Sequence, residues 1–186
     1  MTTTFYMVEC AFPFPDEREG FDAFYQSHIT MLLSIEGFRT AQRFEATHEA
    51  RAPFMAIYEL EDPDVLQRPS YTSRAGPTSV SEIYRPKMLN WDRNVVTGPP
   101  LDLDVPEGGW LVIVDRKTDA APPLPEGFGA YSPASDGRAL DQTVIERGIK
   151  FGTGTPDVPV EAPGWTVRSM RALHPRRKPQ TERNAE

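Results

Sequence analysis

The sequence predicts an α+β fold in the order β-α-β-β-α-β, followed by a partial second copy of the opening. Three observations carry this. Aromatic and β-branched runs alternate with helix-start signals across residues 3–96. Glycine, proline and aspartate stand between the runs, where turns are needed. The apolar run at residues 110–115 resembles that at 5–9, and Pro163-Gly164-Trp165 echoes Glu36-Gly37-Phe38, an internal similarity of the kind repeats leave.

Residues 3–12 predict the first strand, closed by Pro13 and Pro15. Asp16 is placed to cap a helix, and Glu19 three residues later completes a capping-box pattern. Phe21, Phe24, Tyr25, His28, Leu32 and Ile35 then recur on one helical face, and Gly37 suits the left-handed residue that ends such a helix. Residues 38–47 and 54–61 predict the second and third strands, separated by a charged turn with Pro53. Asp62-Pro63 starts the second expected helix, interrupted at Pro69 and resuming over 70–74. Ser79 and Glu82 form a further capping-box pattern, and residues 91–96 predict the fourth strand. The resulting order is the ferredoxin-like arrangement.

The domain reading follows these elements. Residues 1–97 form the ferredoxin-like half, 98–109 a Pro- and Gly-containing linker, 110–174 a degenerate β-α-β half packing on the first, and 175–186 a disordered polar tail. Within the second half, 119–137 is a loop dense in proline and small residues. Residues 140–151 fit an amphipathic helix through Leu140, Val144, Ile145 and Gly148, or a strand through Ile145, Arg147, Ile149 and Phe151; periodicity leaves both open.

Composition removes several function classes. The chain has 186 residues, 39% apolar and 25% charged, which is globular. A net charge of -7 and a pI near 5.1 argue against nucleic-acid binding, which normally uses a basic face. Cys10 is the one cysteine, excluding internal disulfides and multi-cysteine metal sites. No apolar run approaches the roughly 20 residues of a membrane span, and Met1-Thr2-Thr3-Thr4 lacks signal-peptide character. The expectation is a cytoplasmic protein with no membrane or nucleic-acid partner. His28, His48 and His174 show no ligand spacing, so no metal site is expected, and there is no phosphate loop or nucleophile elbow.

The residues alone leave His28 with two readings. A neutral imidazole filling the core competes with a pocket-lining acid/base whose ordinary pKa, about 6.5, suits proton transfer. Tyr25, one turn earlier, is its candidate hydrogen-bonding partner, or a plain core tyrosine. Strand alternation puts Phe5, Met7 and Glu9 on one face and Tyr6, Val8 and Cys10 on the other. Glu9, Arg43, Tyr58 and Trp91 are the candidate substrate-binding residues. For Glu9 a raised carboxyl pKa in a cavity competes with an ion pair to Arg43, which is favoured. His48 and His174 carry little functional signal, and Cys10 reads as an inert buried thiol.

Several motifs together resemble the dimeric α+β barrel superfamily, in its EthD-like and muconolactone-isomerase-like branches. They are Phe24-Tyr25-x-x-His28 with Leu32-Leu33, Gly37-Phe38 with Arg43-Phe44, residues 56–63, Ser70-Tyr71 and Asn90-Trp91-x-Arg93-Asn94, spanning about residues 3–97. The resemblance implies a sheet packed on a second sheet, helices outside, and a pocket between helix and sheet. A sheet with free edges also favours a homodimer. The implied function is a cofactor-independent small-molecule enzyme. It would isomerise, cyclise or dehydrate an aromatic, lactone or polyketide-like carbonyl compound, with His28 as acid/base and Tyr25 as partner. Alternatives are a haem-binding member with His28 as axial ligand, and a non-catalytic ligand-binding or assembly protein.

Overall fold

The computed structural model describes residues 2–75 and 81–180. Eight strands form one closed barrel: β1 (Thr3–Ala11), β2 (Phe38–Ala46), β3 (Phe54–Leu60), β4 (Leu89–Gly98), β5 (Trp110–Arg116), β6 (Gly129–Pro133), β7 (Glu146–Gly152) and β8 (Trp165–Ala172). Around the barrel they run β1-β3-β2-β8-β5-β7-β6-β4, every pairing antiparallel, with β4 returning to β1. One long helix, α1 (Arg18–Leu33), lies outside.

This overturns the expected ferredoxin-like α+β class, and the reasons are local. Proline at 63 and again at 69 removes amide donors, and Arg68 before Pro69 is extended at φ -69° and ψ 145°. The second expected helix is therefore a 3-10 turn at Pro63–Gln67 and a single turn, α2 (Pro69–Thr72). The second half has no helix among the described residues. Leu140 and Gln142 take positive φ, which a helix forbids, and the alternating pattern prevails as β7. The internal similarity is thus one of strands, without a β-α-β copy.

Smaller expectations shift as well. Asp16 sits inside a 3-10 turn at Pro15–Glu17, and neither that turn nor α1 has a side-chain cap. Asp62 does cap, accepting from the Asp64 amide at 2.8 Å. Gly37 has φ +94°, and a Cβ there would stand 2.5 Å from Val65. Ser79 lies outside the described residues. Residues 175–180, expected to be disordered, are placed along β2, where Arg177 and Ala41 exchange two backbone hydrogen bonds.

Closure has a physical consequence. A cluster of buried apolar side chains draws members from all eight strands, among them Met7, Phe44, Met55, Val96, Ile113, Tyr131, Ile149 and Met170. Only the lumen can hold such a set, at a width that inward side chains can fill. A second core lies outside, where Tyr6, Val8 and Cys10 meet Phe21, Tyr25, Ile29 and Leu32 of α1. The free sheet edges that favoured a homodimer do not exist here, because each strand is paired on both sides within one chain. No described helix is long and apolar enough to cross a membrane.

Candidate functional site

Alternation along β1 puts Tyr6 and Val8 outward, toward α1, and the pairing sets Tyr58 opposite Tyr6 and Arg93 opposite Val8. Helical spacing brings Phe24, Tyr25, His28 and Leu32 down on the same patch. With Tyr71 from α2 and Trp91 from β4, these ten residues line a cleft between α1 and the strands β4, β1 and β3. Water-accessible room inside is about 20 Å³, enough for about one water molecule.

His28 is half-buried and its ring lies nearly parallel to that of Phe24, at 5.6 Å and 28°. Tyr25 stands edge-on to it at 6.4 Å. Burial pushes the imidazole down to about 4, so it is neutral at neutral pH rather than poised near 6.5. The Tyr25 phenol is raised well above its usual range, first by burial. Its hydroxyl faces Cys10 Sγ at 3.8 Å, and the Arg43 guanidinium covers its ring at 4.1 Å. Burial also raises the Tyr6 and Tyr58 phenols and takes the Cys10 thiol up to about 11. Every one of these groups is therefore uncharged at neutral pH.

Of the six residues singled out from sequence, His28, Tyr25, Tyr58 and Trp91 line this one cleft. Glu9 and Arg43 do not, nor do they pair with each other. Strand β3 lies between theirs, and Glu9 faces the lumen while Arg43 faces α1. Arg43 instead bonds Asp22 Oδ1 at 2.6 Å and packs over Phe21, Tyr25 and Phe54. Trp91 is held between cations, with Arg85 at 3.9 Å and Arg93 at 4.9 Å from its ring centre.

Glu9 belongs to a different construction. Arg147 of β7 donates to Asp115 Oδ1 at 2.5 Å, to Asp115 Oδ2 at 3.1 Å and to Glu9 Oε1 at 2.8 Å. Arg168 of β8 donates to Asp115 Oδ2 at 2.7 Å and to Glu9 Oε2 at 2.5 Å. All four side chains are buried, and their charges cancel. Burial alone would raise the Glu9 carboxyl, but Arg168 and Arg147 outweigh it and hold it down at about 2. The raised carboxyl considered from sequence is thus reversed. Glu9, Asp115 and Arg168 also floor a polar cleft at the barrel end, with His48 exposed at its edge and about 290 Å³ open to water. This cleft is roomier than the one beside α1, and its buried carboxylates are each paired with both arginines, while Arg168 Nε has no partner.

Sequence reasoning missed Arg93, Tyr6, Tyr71 and Phe24 as lining residues. Two had a readable signal. Arg93 stands two residues from Trp91 on the same strand face, and Phe24 one helical turn before His28. Tyr71 stands in the Ser70-Tyr71 motif of the resemblance, but only the tertiary fold carries α2 to the cleft.

No family model matches the sequence, and no curated protein matches it, so the EthD-like and muconolactone-isomerase-like resemblance rests on its motifs. Among solved structures, the chain is similar to the crystal structure of a "putative monooxygenase" from Lactobacillus acidophilus NCFM, with a TM-score of 0.53 and 11% identity. The match covers 94% of this chain and 96% of that one. At that identity the likeness is one of fold, over nearly the whole of both chains.

Proposed function

We propose that this chain is a small-molecule enzyme whose cleft beside α1 moves a proton within an aromatic, lactone or polyketide-like carbonyl compound. The observation that carries the reading is a neutral imidazole, His28, set among aromatic side chains with no carboxylate lining the cleft to protonate or pin it. Such an imidazole rests in its basic form, but at about 4 it is a weaker base than a free imidazole, so the step depends on donors that stabilise the oxygen on which charge develops. The imidazole takes a proton from carbon beside a carbonyl, and the strongly acidic imidazolium it becomes returns that proton elsewhere on the substrate. This cycle serves isomerisation, cyclisation or dehydration without a bound cofactor. Tyrosine hydroxyls at neutral pH are donors for the oxygen on which charge develops, with Tyr25 the one nearest His28 in sequence.

The cleft has room for about one water, so a substrate enters by displacing aromatic side chains. A haem on the His28 imidazole would have to displace Phe24, which is stacked on that ring. The fold likeness to a protein described as a monooxygenase favours one second reading, oxygen insertion into the same kind of substrate. Oxygen uptake during turnover separates the two.

The test is a turnover screen on aromatic lactones and β-dicarbonyl compounds, read by exchange of substrate hydrogen with deuterated water. His28→Ala is expected to lose 10²- to 10⁴-fold, and Tyr25→Phe about tenfold or less. Full exchange in both variants would remove the assignment.

A further inference from the structure

We propose that the cleft selects a flat ligand bearing a carboxylate or equivalent delocalised oxyanion, and that Arg93 is the residue that holds it. The inference rests on the reading of this cleft as the small-molecule site.

The first argument is charge. Of the ten lining residues, Arg93 alone is ionised at neutral pH; the others are apolar, phenolic or the neutral His28. The chain as a whole carries -7, so a cleft with one cation and no carboxylate is contrary to the composition around it. A cation in an aromatic, water-poor surrounding attracts an anion far more than it would on the surface.

The second argument is the state of the Arg93 donors. Asp141 is its nearby carboxylate, with one oxygen on the backbone and the other in a long salt bridge to Arg93 Nη2. Asp141 Oδ2 accepts from the Arg93 amide at 2.8 Å, and the Asp141 amide donates to the Arg93 carbonyl at 3.0 Å. The guanidinium receives only a long contact, Nη2 to Oδ1 at 3.4 Å. Nε is buried without a partner, and Nη1 donates to none of the described residues. Arg147 in the lumen shows the contrast, with three carboxylate bonds between 2.5 and 3.1 Å. A planar fork with unmet donors is the recognition element for a carboxylate.

The third argument is shape. The Arg93 guanidinium lies over the Trp91 ring, which Arg85 covers in turn, so strand and ring fix its position. Beside it, Tyr6 and Tyr58 stack at 5.6 Å, and Phe24 and His28 present near-parallel planes. Flat walls with one cation at hand suit a planar ring with an acidic substituent.

The experiment is calorimetric titration of the full chain with three probes of one shape: 2-naphthoate, 2-naphthamide and 2-naphthylmethylammonium. The carboxylate is expected to bind at least tenfold tighter than the amide, about 1.4 kcal/mol, with the ammonium weakest. Arg93→Met should erase that preference while leaving the amide within about twofold; Arg93→Gln replaces it if the first variant fails to fold by circular dichroism. His28→Trp, which fills the cleft, should weaken all three. Equal binding of carboxylate and amide, lost in His28→Trp, would overturn the anion inference and leave the site reading standing. No binding of any probe, or binding indifferent to His28→Trp, would overturn both.

Discussion

The two faces of β1 carry polar groups into the protein interior in opposite ways. On the lumen side, Glu9 joins Asp115, Arg147 and Arg168 in a neutral quartet whose two carboxylates each accept from both arginines. On the helix side, Tyr6 and Val8 border a cleft where His28 has no hydrogen bond among the described residues and Arg93 is poorly partnered. Desolvation raises the cost of any unpaired polar group. The quartet meets most of that cost internally, with only Arg168 Nε left without a partner, so its four ion pairs hold the barrel together. In the cleft, Arg93 Nε is buried without a partner and its Nη2 makes one long ion pair with Asp141, and unmet donors are where a ligand gains most. The roomier of the two clefts is the one over the quartet.

The largest expected effect tests the quartet. Asp115→Ala leaves two buried guanidiniums short of a shared partner and should cost about 3–5 kcal/mol in urea unfolding, whereas Arg93→Met should cost under about 1 kcal/mol. Equal losses would break the contrast. A second test separates the faces by pH. His28 sits at about 4 when folded against an ordinary 6.5, so the unfolded chain binds its proton first and stability falls as pH drops from about 6.5 to about 4. Glu9 is held at about 2 against 4.5, so its contribution is complete above about 4.5 and is lost as pH falls toward 2. The difference between wild type and His28→Gln should therefore lie in the upper window, at no more than about 1.4 kcal/mol per pH unit. A difference confined to the lower window would assign the effect to the wrong face. The smallest effect concerns the clamp on Trp91: Arg85→Ala should cost about 0.5–1 kcal/mol and change the tryptophan emission. An unchanged spectrum and stability would show that Arg85 does not fix the ring beside Arg93.

Much of the cleft was legible. The expected strand at residues 54–61 forms as Phe54–Leu60, and of the expected helical face Phe21, Tyr25 and Leu32 are buried while Phe24 and His28 line the cleft at its edge, with Ile29 buried beside them. The second helix was misread because Asp62-Pro63 is a genuine start signal, while its failure to propagate past Pro69 depends on competition from extended backbone at Arg68. For β7 an alternating and a helical pattern overlap in the same residues, and pairing with β5 and β6 decides between them. The quartet was beyond reach: Glu9 meets Arg147 and Arg168 across 138 and 159 residues.

By itself, the sequence determined which side chains stand together. Strand alternation grouped Phe5, Met7 and Glu9 against Tyr6, Val8 and Cys10, and helical period grouped His28 with its aromatic neighbours. Only the tertiary structure decided which group looks into the lumen, that the sheet closes within one chain, and that Glu9 has two arginines while Arg93 has nearly none. The physical reason is that alternation is symmetric between faces. Inside and outside are assigned by strand pairing and burial between distant segments, and neither is encoded in a local period.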